Sequence, residues 1–148
     1  PFDKVLYMLH GLKQNADAWP RMSAIERYAN HYGYAVIIPE VQRSWYCDLP
    51  GGTNYFTYIT QELPELVHRM FKLPEGRENP YIGGLSMGGY GALKCALRRP
   101  DLYCGAMCFS SGFFSSALGA ANASKNFSAS IRARSNILSA LLVVLVLF

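Results

Sequence analysis

Charged residues are scarce in this chain: Asp, Glu, Lys and Arg make up 16% of its 148 residues, while apolar and aromatic types reach 51%. An ordinary soluble domain carries roughly a quarter charged residues. Disordered chains and coiled coils need more charge or a strict period, so neither class fits. The net charge is only +4, and the Lys and Arg are scattered rather than gathered into a stripe that could follow phosphates. No nucleic-acid partner is therefore expected. There is no CxxC pair either. Cys47, Cys95, Cys104 and Cys108 lie too far apart for a metal or redox motif, so the expectation is no metal and reduced, mostly buried thiols, as in a cytoplasmic protein. No apolar signal segment follows the opening Pro1-Phe2-Asp3, which also favours the cytoplasm, and the missing initiator Met indicates a start upstream. The longest apolar run, Ile137 to Phe148 broken by Ser139, has twelve residues, where about 20 are needed to span a bilayer. No membrane partner is expected.

A second set of absences divides the chain. From Gly105 to Phe148 there is no acidic residue, Tyr, Pro, Trp or His, although all of these occur earlier. Ser115 to Ser130 is close to low complexity and has no period that would bury one face. The expected organisation is one incomplete domain over 1–112 and an atypical tail over 113–148, Ser/Ala-rich and then apolar. The end of that tail, Ile137 to Phe148, reads equally as a core helix or as sequence foreign to the ancestral protein.

What is present is an alternation of elements. Val5 to Leu9, Ala35 to Ile38, Tyr81 to Leu85 and Gly105 to Phe109 are short, continuously apolar runs that read as buried strands. Met22 to His31, Tyr55 to Phe71 and Tyr90 to Arg99 read as helices, the second kinked or restarted at Pro64. Strands of this kind alternating with helices form a mostly parallel sheet covered by helices on both faces, an α/β fold.

Between the third strand and the third helix lies Gly83-Gly84-Leu85-Ser86-Met87-Gly88-Gly89. Gly84, Ser86 and Gly88 form G-x-S-x-G in the strand–turn–helix context that a nucleophile elbow requires. A serine in so tight a turn presents its hydroxyl above the sheet, flanking glycines leave room for the turn, and the free N–H groups of the helix favour negative charge there. The spacing fits neither phosphate-binding pattern, G-x-x-x-x-G-K-[ST] or G-x-G-x-x-G. At the end of the first strand, His10-Gly11-Leu12 stands where a loop supplies one N–H to an oxyanion hole, the other coming from the residue after the nucleophile. The donors expected are Leu12 and Met87, with Ser86 as catalytic residue and His10, Gly11, Gly84 and Gly88 as supports of the motif.

Tyr7-Met8-Leu9-His10-Gly11, Asn30 to Glu40, Tyr55-Phe56-Thr57-Tyr58 with Glu62-Leu63-Pro64, and Gly84 to Leu93 together resemble the esterase D family of α/β-hydrolases, which includes tributyrin esterases and S-formylglutathione hydrolases. Arg43-Ser44-Trp45-Tyr46 is most similar to the tributyrin esterase branch. The similarity covers Val5 to Gly112. It implies a partial α/β-hydrolase fold truncated after about Gly112, and a serine carboxylesterase that hydrolyses small or short-chain acyl esters or thioesters without a cofactor.

Hydrolases of this kind order their triad Ser, Asp or Glu, His, yet downstream of Ser86 there is one acid, Asp101, and no histidine. The resemblance makes Asp101 part of a structural Pro-Asp turn. His10 reads as a brace for its own turn, and His31 and His68 as surface or half-buried side chains of helices. The chain alone is therefore expected to be catalytically impaired. The alternative is a non-catalytic fragment or pseudo-hydrolase that binds a ligand through Trp45, Tyr46, Tyr55 and Phe56. Strand edges left open by a shortened sheet make a homo-oligomer possible.

Overall fold

In the computed structural model of the chain, residues 1–111 are described in full and 143–145 as backbone. Among the described residues, five parallel strands lie in the order β2-β1-β3-β4-β5: β1 Lys4–Leu9, β2 Tyr34–Ile37, β3 Pro80–Leu85, β4 Gly105–Phe109 and β5 Val143–Leu145. The register pairs Leu9 with Gly84 and Gly84 with Cys108, so the strands end level with one another at their carboxyl edge. The chain steps one way from β1 to β2 and the other way from β3 to β4. Right-handed crossovers then place α2 (Ile25–Tyr32) and α5 (Met87–Arg98) on opposite faces of the sheet. The α/β fold with both faces served by helices is borne out.

The four expected strands all form, each within one residue of its predicted bounds. Boundaries of helices moved further. Met22 to His31 is not one helix: α1, Ala18–Met22, stops at the extended Ser23, and α2 begins at Ile25. The Ser23 hydroxyl bonds back to Trp19 O and accepts the Ile25 N–H, a local competition with the helical ladder that serine is suited to make. Tyr55 to Phe71 divides into α3 (Tyr55–Thr57), a π-helical stretch over Tyr58–Glu62, and α4 (Leu63–Met70). Pro64 is the second residue of α4, directly after the π-helical stretch. The helix expected from Tyr90 begins at Met87.

The core lies between the sheet and the face carrying α4 and α5. Val5, Tyr7, Leu9, Ile59, Ile82, Met87 and Cys95 are almost wholly shielded there. Cys95 and Cys108 are buried, Cys47 and Cys104 half-buried, and all four thiols are free. At the far edge, Val143–Leu145 pairs in parallel with Met107–Phe109. The core helix considered for the apolar run is thus a strand at these three positions, consistent with the stiffness of its two adjacent valines. This pairing also covers the edge that β4 would otherwise leave open. The rest of the 113–148 tail, including Ser115 to Ser130, lies outside the described residues.

Candidate active site

In a parallel sheet, ligands are met in the crevice beyond the strands' carboxyl ends, where the chain order reverses. Here the reversal falls between β1 and β3, and the two segments that leave the sheet at that point are His10-Gly11-Leu12 and Ser86-Met87.

Ser86 is exposed and forms the corner between β3 and α5. Its backbone sits at φ 56°, ψ −115°, a region that L-residues occupy only when their surroundings enforce it. The enforcing contacts are visible. The Ser86 N–H donates to Phe109 O at 2.9 Å, and its carbonyl accepts the Tyr90 N–H at 3.0 Å. Below the corner the backbones meet so closely that a Cβ on Gly84 would stand 2.4 Å from the Gly88 carbonyl. A Cβ on Gly88 would stand 2.2 Å from Leu9 O and 2.9 Å from His10 O. These two glycines let the start of α5 press onto the end of β1, which brings the His10 loop beside the elbow. Met87, fully buried, is the first residue of α5, where a helical N–H has no partner within the helix.

The loop after β1 is fastened on every side. The His10 ring is fully shielded. The Val41 N–H points at Nε2 across 3.2 Å, which assigns the ring proton to Nδ1, and Nδ1 donates to Gly11 O at 2.9 Å. Gly11 N–H donates to Gln14 Oε1 at 2.8 Å. The Tyr46 hydroxyl donates to His10 O at 2.9 Å. Burial holds the Tyr46 phenol far above its usual range, so it remains a donor. Glu40, 3.3 Å from His10 Nε2, accepts N–H bonds from Ala16 and Gln42. Partial burial raises the Glu40 carboxyl, but those backbone donors outweigh it and hold the group below its ordinary value. Leu12 is half-buried against the core and lines an open cavity of about 760 Å³ with Lys13, Gln14, Asn15, Gln42 and Arg43.

The elbow, the His10 loop and Met87 are thus brought together at one edge. The remaining titratable candidates are not. Asp101 follows α5, whose twelve residues run about 18 Å back across the sheet. It pairs with Arg99 at 2.8 Å, and the hydrogen bonds from that guanidinium hold its carboxyl below the usual range. Asp101 and His68 share a cavity of about 220 Å³ with Pro80, the first residue of β3, at the opposite end of the sheet. His68 Nδ1 lies 2.8 Å from Pro64 O. His31 lies in the last turn of α2, just before β2, and packs edge-on to Tyr32. Of the aromatics considered as pocket walls, Tyr46 is fully buried and belongs to the core, while Trp45, Tyr55 and Phe56 are half-buried against it. Among the described residues there is no cluster of metal-binding side chains, and no helix is long and apolar enough to cross a membrane.

Sequence reasoning missed the conformation of the carboxyl edge. Among the described residues, the non-glycine positions with positive φ are Gln42, Trp45, Tyr46, Ser86 and Ser110. All of them follow the carboxyl end of a strand, and only the elbow motif announces one of them.

Comparison with known proteins adds to this geometry. Residues 3–140 match the family model described as "Putative esterase". The chain is 37% identical over 109 residues to an acetyl esterase of Caldicellulosiruptor saccharolyticus, across 73% of this chain and 41% of that protein. It is 32% identical to an S-formylglutathione hydrolase of Rattus norvegicus, across 66% of this chain and 42% of the other. Fluorophosphonate-binding serine hydrolase F of Staphylococcus aureus, solved with substrate bound, superimposes with a TM-score of 0.73 at 40% identity, over 80% of this chain and 46% of that one. The S-formylglutathione hydrolase FrmB of Staphylococcus aureus gives 0.70 at 33% identity, over 93% and 55%. The chain therefore spans about half the length of the relatives it matches. It belongs to the esterase family, in the esterase D-like group of α/β-hydrolases.

Proposed function

We propose that this chain carries the nucleophile and oxyanion hole of a serine carboxylesterase that hydrolyses small or short-chain acyl esters or thioesters without a cofactor. Ser86 Oγ attacks the carbonyl carbon, and the N–H groups of Leu12 and Met87 receive the developing oxyanion. The observation that carries this reading is the strained corner at Ser86, φ 56° and ψ −115°, held at the start of a twelve-residue helix and beside the His10 loop. Strain of that kind is kept where a side chain has work to do. A helix N-terminus and backbone donors are what an anionic tetrahedral intermediate needs.

The chain's three histidines do not complete a triad with this serine. His10 is engaged through both ring nitrogens, and His31 and His68 stand at the sheet's other end. A serine without its base loses on the order of 10⁴- to 10⁶-fold in turnover and keeps the contributions of the oxyanion hole and binding. The polypeptide on its own is thus a slow acyl acceptor, and the acid and base belong to sequence other than this one.

The test is a fluorophosphonate probe followed by peptide mapping, with p-nitrophenyl acetate and butyrate as substrates, on the wild type and Ser86→Ala. Slow labelling confined to Ser86, and a residual ester cleavage that Ser86→Ala removes, are expected. Equal cleavage by both proteins and an unlabelled Ser86 would instead establish the second reading that the histidine placement favours, a non-catalytic hydrolase-like chain.

A further inference from the structure

Outside the elbow, one pair of reactive side chains is held at bonding approach. Lys94 Nζ, from the middle of α5, lies 2.9 Å from Cys47 Sγ. The lysine does not depend on the sulfur for its position. It also donates to Tyr46 O at 2.8 Å and sits over the rings of Phe56 and Tyr90, at 5.3 and 5.9 Å from their centroids. Both residues are half-buried, so part of each stays open to a small solute. Trp45, edge-on to Tyr90 at 5.7 Å, and the Tyr46 clamp on His10 join this segment to the helix and to the loop beside Ser86.

We infer that Cys47 and Lys94 form an oxidative modification site, at which a hydroperoxide joins sulfur to nitrogen through a single oxygen atom. The separation supports this linkage over a direct sulfur–nitrogen bond: an inserted oxygen spans nearly the distance the atoms already hold, whereas a direct bond would need α5 and the 44–47 segment to close by more than an ångström. In the first step hydrogen peroxide gives one oxygen to the thiol, forming the sulfenic acid and releasing water. In the second step the ammonium has released a proton to solvent. A second molecule of hydrogen peroxide takes up the sulfenic O–H hydrogen and one amine hydrogen, becoming two waters, and the oxygen–nitrogen bond forms. The sum is one thiol, one amine and two peroxides giving the S–O–N bridge and three waters. The bridge would tie the loop after β2 to α5 and so fix the segment that carries the Tyr46 clamp.

The other thiols are poorer candidates. Burial pushes Cys95 up to about 12 and Cys108 up to about 11, and it also raises Cys104. Among the described residues no amine hydrogen bond reaches any of them, and Cys104 Sγ instead donates to Pro80 O.

The test treats the full chain with millimolar hydrogen peroxide, natively and in concentrated urea, and maps tryptic peptides without reductant. In the native sample the expected product is a Cys47 peptide joined to a Lys94 peptide, with one oxygen gained and two hydrogens lost. Cleavage after Lys94 is lost in that product, and a phosphine reductant restores it. Cys47→Ser and Lys94→Met should each abolish it, and the urea sample should lack it. Overoxidation of Cys47 beside an unmodified Lys94 would overturn the inference, as would the same bridge forming in urea. The wild-type mapping decides the matter even if a variant folds poorly.

Discussion

Tyr46 and His10 are thirty-six positions apart, and the phenol of one donates to the main-chain carbonyl of the other across 2.9 Å with both residues fully buried. Tyr46 itself stands at φ 54°, and its ring occupies the space that a side chain at position 91 would need, since a Cβ on Gly91 would come within 2.4 Å of its Cδ2. A strained residue, a glycine on the opposing helix and a hydrogen bond to the loop beside Ser86 therefore form one arrangement. Tyr46→Phe keeps the ring and strands the His10 carbonyl. A buried acceptor left without a partner costs about 1–3 kcal/mol, and the expected result is a urea midpoint lowered accordingly with an unchanged slope. A midpoint equal to wild type would mean that this bond contributes nothing to the loop's position.

The contact between Gly88 and the end of β1 carries a larger penalty. An added methyl would stand 2.2 Å from Leu9 O and 2.6 Å from Leu9 C, both main-chain atoms that cannot rotate away. Overpacking of this kind costs typically about 1–3 kcal/mol and sometimes more. Gly88→Ala should lie beyond that range or fail to yield folded protein. Gly51→Ala is the control: its methyl meets nothing within 4 Å, and only the positive φ of 70° opposes it, a cost of about 1 kcal/mol. Circular dichroism and urea unfolding of the two variants should separate them clearly, and similar losses would remove close backbone approach as the reason for glycine at position 88.

The positions of these features show what could be read from the residues alone. Strands β1 to β4 are continuously apolar because both faces of a parallel sheet are covered, so their places were legible almost to the residue. The elbow was legible because few residue patterns tolerate its geometry. The break at Ser23 was hidden: it depends on a hydroxyl choosing Trp19 O over solvent, which apolar periodicity does not record. The burial of Tyr46 was hidden for a similar reason, because it follows from Gly91 and His10, residues far away in the chain. The pairing of Val143–Leu145 with β4 rests on partners supplied by the sheet, and an apolar run alone leaves strand and helix undivided.

Glu40 links the loop to acid stability. Its carboxylate receives the Ala16 and Gln42 N–H groups and is held below its ordinary value despite the opposing effect of burial. A carboxyl whose folded pKa is depressed stabilises the fold above its unfolded pKa, and that contribution disappears as pH falls through the lower, folded value. Stability should therefore decline on acidification below the ordinary glutamate range, and Glu40→Gln should be less stable than wild type near neutrality yet lose less on the way down. Urea midpoints measured at several pH values from neutral to strongly acidic provide the check. Parallel curves for the two proteins would assign the acid limb to Asp48 and Asp101, the other carboxyls held low by hydrogen bonds.

Ser86 offers a direct measure of what its corner stores. A non-glycine residue in such a conformation costs about 1–3 kcal/mol, and glycine adopts it freely. Ser86→Gly removes the strain but gives the unfolded chain more freedom, which returns roughly 0.5–1 kcal/mol of the gain. The net expectation is a variant about 1 kcal/mol more stable than wild type, together with complete loss of fluorophosphonate labelling. Ser86→Ala keeps Cβ, hence keeps the strain, and should match wild-type stability while losing the label equally. The pair of variants separates the hydroxyl from the backbone. If glycine stabilises and alanine does not, the chain holds Ser86 in place at an energetic cost that packing of α5 on β1 must cover. If glycine destabilises, the corner at position 86 is relaxed and the serine is there for reasons unconnected with strain.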